Sequence, residues 1–252
     1  MPLIEPSKSQ YVQIAELLER RIHDGTYAAG SALPSEPELA AELDVSRVTI
    51  NKAMTLLRAR GQVRVRRGAG TYVRKLPKIT RDAVARFANR SQGVGAGQVE
   101  ISRLNLTPRT DYLRIGPVDP PQQVRDILHL GDDKALVRSR LLFADDEPTQ
   151  LAFSYFSWTL TQDSDLTQED VGTGGSYARL ADLGAGPVRF TEDVNVRTST
   201  DEERGYLGIE ATQPVFEILH VAYAADDRAV SVTFHIMPGY LWTLRYSWDD
   251  LA

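Results

Sequence analysis

A helical pattern that runs straight into a basic alternating stretch, SRVTINKAMTLLRARGQVRVRRGAGTYV at 46–73, constrains this chain more than any other feature. Ile50, Ala53, Met54 and Leu57 recur at helical spacing, and Ser46 stands where an N-cap belongs. From Gln62 to Arg67 the period changes to two. Val63 and Val65 alternate with Arg64 and Arg66, Gly68-Ala-Gly70 supplies a turn, and Thr71-Tyr-Val73 returns. One side of such a hairpin is expected to pack and the other to be cationic.

The residues before this stretch extend the pattern. Tyr11 to Asp24 places Ile14, Leu17, Leu18 and Ile22 on one helical face and is closed by Gly25. Ser35-Glu-Pro-Glu38 has the capping-box form, with Pro37 tolerated in the first turn, so a second helix is expected to about Leu43, burying Leu39, Ala40 and Leu43. Asp44-Val45 breaks it before Ser46. Two short helices joined by so brief a turn form a helix-turn-helix, and the hairpin makes it winged. Ser46, Arg47, Thr49, Asn51 and Lys52 then stand at the amino end of the third helix, off its buried face. That end of a helix fits the major groove: Arg47 can address guanine O6/N7, Asn51 adenine N6/N7, and Thr49 a thymine methyl. The hairpin would lie along phosphates with its glycine tip in the minor groove. The expected DNA contacts are therefore Ser35, Ser46, Arg47, Thr49, Asn51, Lys52, Arg66, Arg67, Gly68, Gly70 and Thr71.

Charge supports this division. The net charge is -5 over 252 residues, but residues 1–75 carry 12 Lys/Arg against 8 Asp/Glu, and the remainder 17 against 26. Only the first part suits a polyanion. There is no cysteine, hence no disulfide or thiol nucleophile. His23, His129, His220 and His235 lack metal-ligand spacing, and neither a signal-peptide pattern nor an apolar run of membrane-spanning length is present, which leads us to expect a cytoplasmic protein without a metal or cofactor.

The pattern YxQIAELLERRIxxGxYxxGxxLPSExELAxELxVSRxTIxKAxxLLxxxGxVxxRxGxGTYV resembles the DNA-binding domain of the GntR family of bacterial transcription regulators across nearly all of residues 10–74. The resemblance implies operator contacts by Ser46, Arg47, Asn51 and Gly68. The family often has Arg where this chain has Pro37 and Asn51, so readout is expected to shift toward an A-containing half-site.

Residues 76–98 read as a linker, with a helix around 83–87; Lys75, Lys78 and Arg81 in and beside it are either solvated or DNA contacts. From 99 to 252 helical and period-two segments alternate. Helices are expected at 121–130, 176–183 and 200–207, and strands at 135–143, 149–158, 188–196, 214–223 and 229–237. ALVRSRLLFADDEPTQLAFSYF and PVFEILHVAYAADDRAVSVTFHI lie about 80 residues apart, each after a short helix, as two helix-plus-hairpin repeats would. One mostly antiparallel sheet with helices on one side follows, giving an α+β chain overall. This half resembles the UTRA effector-binding domain of the HutC subfamily, similar in fold to chorismate lyase, through its R-x-R strand, D-x-P turn and Ser-x-Tyr helix. By that resemblance the pocket lies between the repeats, and the chain is a homodimeric repressor on a palindromic operator. Arg138 and Arg140, at i and i+2, share one face and suit a carboxylate or phosphate, or else surface ion pairs. Tyr155, Tyr177, Glu192, Arg197, Phe234 and His235 complete the expected effector set. A lyase-like enzyme and an architectural DNA binder are the competing readings; no Ser-His-Asp order, metal cluster or cofactor fingerprint favours the first.

Overall fold

The computed structural model describes residues 8–66, 68–83 and 96–248. The chain divides into two compact units, 1–76 and 77–252.

In the first unit, α1 (Gln10–His23), α2 (Glu36–Glu42) and α3 (Arg47–Ala59) precede a hairpin of β1 (Val63–Arg66) and β2 (Gly70–Val73). The helices meet through the expected apolar faces: Ile14, Leu18, Leu39, Ile50, Met54 and Leu57 form the core, joined by Val63 and Val73 at the hairpin base. Ser35 caps α2 in a complete capping box with Glu38. Ser46 caps α3, its Oγ accepting from the Thr49 N–H at 3.2 Å. The hairpin is antiparallel, with Val63 opposite Val73 and Arg66 opposite Gly70. Residues 30–33 flank β2 through Leu33 N–H to Thr71 O and Val73 N–H to Ser31 O. The expectation of one packed hairpin face holds at Val63 but not at Val65, which is 50 % exposed because the tip reaches beyond the helical core.

The second unit contains β3 (Ile79–Asp82), α4 (Ala96–Ser102), β4 (Pro108–Val118), α5 (Gln122–Ile127), β5 (Ala135–Ala144), β6 (Glu147–Ser157), α6 (Trp158–Thr161), α7 (Gly175–Asp182), β7 (Arg189–Thr198), α8 (Asp201–Leu207), β8 (Pro214–Tyr223), β9 (Ala229–Pro238) and β10 (Trp242–Arg245). Six strands form an antiparallel sheet in the order β4-β5-β6-β9-β8-β7. Two strand-helix-hairpin repeats, β4-α5-β5-β6 and β7-α8-β8-β9, thus meet through their last strands. The repeat expected from sequence lacks the opening strand that the structure shows: β4 has no clear period-two signal, since its burial alternates poorly and Leu113 sits at a register shift between Tyr112 and Arg114. Asp145 and Asp227, in the two Ala-Asp-Asp turns, both adopt positive φ, a conformation Asp tolerates.

Because side chains alternate across a strand, the sheet has two distinct faces. On one, α5 and α8 cover Leu141, Leu151, Val215, Leu219, Val221, Val232 and Ile236. The other carries Arg138, Arg140, Ser154, Thr233 and His235, closed at one end by Leu166, Leu180 and Ala185 packed on Leu136, Phe156 and Ala222. Helices therefore do not lie on one side only, as the sequence suggested; α7 belongs to the second face. The stretch expected as a linker also differs. Ile79–Asp82 is a strand, paired in parallel with β10, and Ile79 and Arg81 are buried. Arg81 is thus neither solvated nor a DNA contact. The helix expected around 83–87 lies outside the described residues but for Ala83. No helix among the described residues is long and apolar enough to cross a membrane.

Candidate functional site

The first unit exposes one end of α3. Ser46, Arg47, Val48, Asn51 and Lys52 are exposed there, while Ile50, Ala53 and Met54 face the core. Arg47 and Lys52 have no ion-pair or hydrogen-bond partner among the described residues. Asn51 has one: its Nδ2 donates to both oxygens of Glu36 at 3.2 and 3.4 Å, tying α3 to the first turn of α2. Thr49 is half-buried and its hydroxyl is 2.8 Å from the Ser46 hydroxyl, so its methyl is poorly placed for a base. Val48, 66 % exposed, presents the apolar surface that the sequence assigned to Thr49. Ser35 is exposed, and its hydroxyl donates to Glu38.

In the hairpin, Arg66 is exposed and stacks over the Tyr72 ring at 4.5 Å, and Thr71 is half-buried. Arg67 lies outside the described residues. Gly68 and Gly70 have φ of +76° and +100°, and a Cβ at either would meet nothing within 4 Å. Backbone conformation, not crowding by the protein, demands glycine at the tip.

On the polar face of the sheet in the second unit lies a cavity of about 680 Å³. Strands of both repeats line it: Tyr112 from β4, Arg138 and Arg140 from β5, Gln150 and Ser154 from β6, Thr233 and His235 from β9, His220 from β8. Ser176 and Tyr177 of α7 and the preceding Gly172-Thr-Gly-Gly175 turn close one wall.

The two arginines of the R-x-R strand share the cavity face but are used differently. Arg138 is 1 % exposed. Its Nη groups donate to the Leu166 carbonyl at 2.5 Å, to the Gln168 and Glu169 carbonyls and to the Tyr112 hydroxyl at 3.1 Å. It therefore holds the 166–169 segment against the sheet. Arg140 donates to Ser154 Oγ at 2.7 Å, which itself accepts from Thr233 at 2.9 Å. His235 Nδ1 is 2.8 Å from Gln150 Nε2.

A second network runs along the same face. The Tyr177 hydroxyl is 2.9 Å from His220 Nε2, and His220 Nδ1 is 3.1 Å from Glu192 Oε1. Both Nη groups of Arg81 donate to the Glu192 carboxylate, one of them at 2.8 Å. Burial pushes the Glu192 carboxyl up, but hydrogen bonds from His220 and Arg81 outweigh it and hold the group at about 2. With Glu192 ionised, the nitrogen of His220 that faces it, Nδ1, is the one that carries a proton, and the other, Nε2, meets the Tyr177 hydroxyl. Glu192 does not itself line the cavity, whereas Arg81, Tyr177 and His220 do.

Three expected effector residues are elsewhere. Tyr155 and Phe234 lie on the opposite face, edge to face at 6.4 Å and packed with Val124, Leu219 and Val232. Burial pushes the Tyr155 hydroxyl up. Arg197 is also on that face, bonded to Glu203 of α8 and Glu217 of β8, and fastens the helix to the sheet. Among the described residues no group of three or more His, Cys, Asp or Glu side chains is placed to hold a metal ion.

The sequence matches two family models: bacterial regulatory proteins, gntR family, over residues 10–73, and the UTRA domain over 103–240. The HTH-type transcriptional repressor NagR of Bacillus subtilis is 24 % identical over 244 residues, 96 % of each chain. A probable fructoselysine utilization operon transcriptional repressor of Escherichia coli K12 is 24 % identical over 230 residues, 88 % of each. The crystal structure of PhnF from Mycobacterium smegmatis superposes with a TM-score of 0.59 at 22 % identity, covering 94 % of this chain and 99 % of that one, which establishes the shared fold.

Proposed function

This chain belongs to the gntR family of bacterial regulatory proteins and carries a UTRA domain, which makes it a DNA-binding transcription regulator and not an enzyme; from that premise we propose that it is a repressor whose operator affinity is set by a small anionic effector. The observation that carries the DNA half is the exposed edge of α3, where Arg47, Val48 and Lys52 are unencumbered beside a glycine-tipped basic hairpin. Arg47 reads a guanine, Val48 meets a thymine methyl, and Asn51 reads an adenine once it leaves Glu36. Lys52 and Arg66 neutralise phosphates. Two copies on a palindrome double this footprint, and the reading places the protein in the cytoplasm with its DNA.

The effector half rests on the cavity. Arg140, His235, Ser154 and Ser176 offer donors around its polar floor, and a carboxylate or phosphate is the partner such donors favour. Driving the DNA-competent form from about 99 % to about 1 % requires the effector to favour the other form by about 5.5 kcal/mol. Selection of duplexes from a random pool tests the readout. Wild type and Asn51→Ala should enrich sites that differ at an adenine position; identical enriched sites would remove Asn51 from base recognition.

A further inference from the structure

Arg81, like Arg138, is a buried arginine of the cavity wall whose Nε–H has no acceptor among the described residues. It sits on β3, which begins three residues after Leu76 ends the first unit. The side chain is 1 % exposed, yet it lines the cavity. Its two Nη groups are engaged by Glu192, and its Nε–H has no acceptor among the described residues. Buried donors are almost always paired, and an orphaned one on a charged group costs more than a neutral one.

Guanidinium chemistry says what would satisfy it. Five N–H donors lie in one plane, so a carboxylate across the two Nη atoms takes the end of the fork and leaves the side, Nε–H with the adjacent Nη–H, free for a second oxyanion. Glu192 takes the end here. Its charge would repel a second anion, but His220 at 3.1 Å and the Tyr246 hydroxyl at 3.4 Å share it. Arg138 spends its Nη donors on main-chain carbonyls, so Arg81 supplements Arg140 as an anion-binding group.

We propose that Arg81 is an effector-contact residue: the side of its guanidinium binds a carboxylate or phosphate oxygen of the ligand. The inference rests on the reading of the cavity as an anion pocket. It adds a contact contributed by the segment that leads out of the DNA-binding unit. Occupancy then acts on β3 itself, whose ladder to β10 begins with Ile79 N–H to Leu241 O at 2.8 Å and ends with Ala83 N–H to Arg245 O at 3.0 Å. A shift of that ladder is delivered to the covalent connection at Leu76 without any further relay.

The test uses the full chain labelled with 15N-arginine, titrated with inorganic phosphate in one arm and citrate in the other. The Arg81 Nε–H resonance is assigned by its loss in Arg81→Lys and, independently of any variant, by through-space contacts to the β3 amides. It should move saturably with one of the two anions, which also names the source of the oxyanion. Arg81→Lys keeps a cation for Glu192 but has no Nε–H, and should weaken that anion's apparent Kd by roughly 10-fold or more, the worth of a charge-assisted hydrogen bond. Saturable binding that moves Arg140 but leaves the Arg81 Nε–H unshifted would overturn the inference alone. Absence of saturable binding in both arms would overturn the anion-pocket reading and the inference with it.

Discussion

Replacing Arg138 by methionine separates a structural arginine from one held for ligand. Four protein acceptors lose their donor: the Leu166, Gln168 and Glu169 carbonyls and the Tyr112 hydroxyl. Each orphaned group costs about 1–3 kcal/mol where water cannot replace the bond. The Leu166 bond is buried and the other three are partly open. Taking the first near the middle of that range and the rest near its bottom gives about 4–5 kcal/mol; recovered desolvation of the buried cation offsets about 1–2 kcal/mol, leaving about 3 kcal/mol. The three tryptophans, Trp158, Trp242 and Trp248, all belong to the second unit, so their fluorescence reports its unfolding alone. With a urea m-value of about 2 kcal/mol/M, the midpoint should fall by about 1.5 M at unchanged m. A midpoint within about 0.3 M of wild type would contradict this, and would mean that the 166–169 segment stays in place without Arg138.

Three further outcomes are expected. The Glu192 carboxyl lies at about 2 in the folded protein against 4.5 ordinarily, so its contribution is complete above pH 4.5 and lost as pH falls toward 2. The urea midpoint read by tryptophan fluorescence should therefore drop between pH 5 and pH 3 in wild type, and less in Glu192→Gln. Gly68→Val forces an L side chain into φ +76° and should cost about 1–2 kcal/mol in the first unit; thermal unfolding by far-UV circular dichroism measures it, and Gly68→Asn should recover most of the loss. Val48→Ala should lower the preference for thymine over uracil at one operator position by about 0.8 kcal/mol, the worth of one buried methylene, as read by competition between the two duplexes.

The DNA-binding unit was legible because its signals are local. The cap at Ser46, the capping box at Ser35 and the spacing of Ile50, Met54 and Leu57 all act within one or two helical turns. Period-two alternation is equally informative for β5 and β9, because it also decides which side chains share a face. Phe234 and His235 are adjacent on one strand and cannot both face one cavity, nor can Glu192 and Arg197, which are an odd number of residues apart. The same rule starting from Arg138 and His235 leads to Arg140, Thr233 and Ser231, which do line it. Other features had no local signature. Arg138 looks like a ligand contact until the 166–169 carbonyls fold against it, 28 to 31 residues away in sequence. Arg81 reads as linker because β3 acquires its partner only at Trp242–Arg245, the far end of the chain.

Salt-dependent binding to a duplex enriched by the wild-type chain tests the central claim, that the exposed edge of α3 reads DNA. Fluorescence anisotropy between 50 and 200 mM salt should give log K falling linearly with log salt, about 0.9 per phosphate neutralised. Arg47→Glu with Lys52→Glu should abolish preference for that duplex over a scrambled one and flatten the slope. Retention of both preference and slope by the double variant would contradict the assignment.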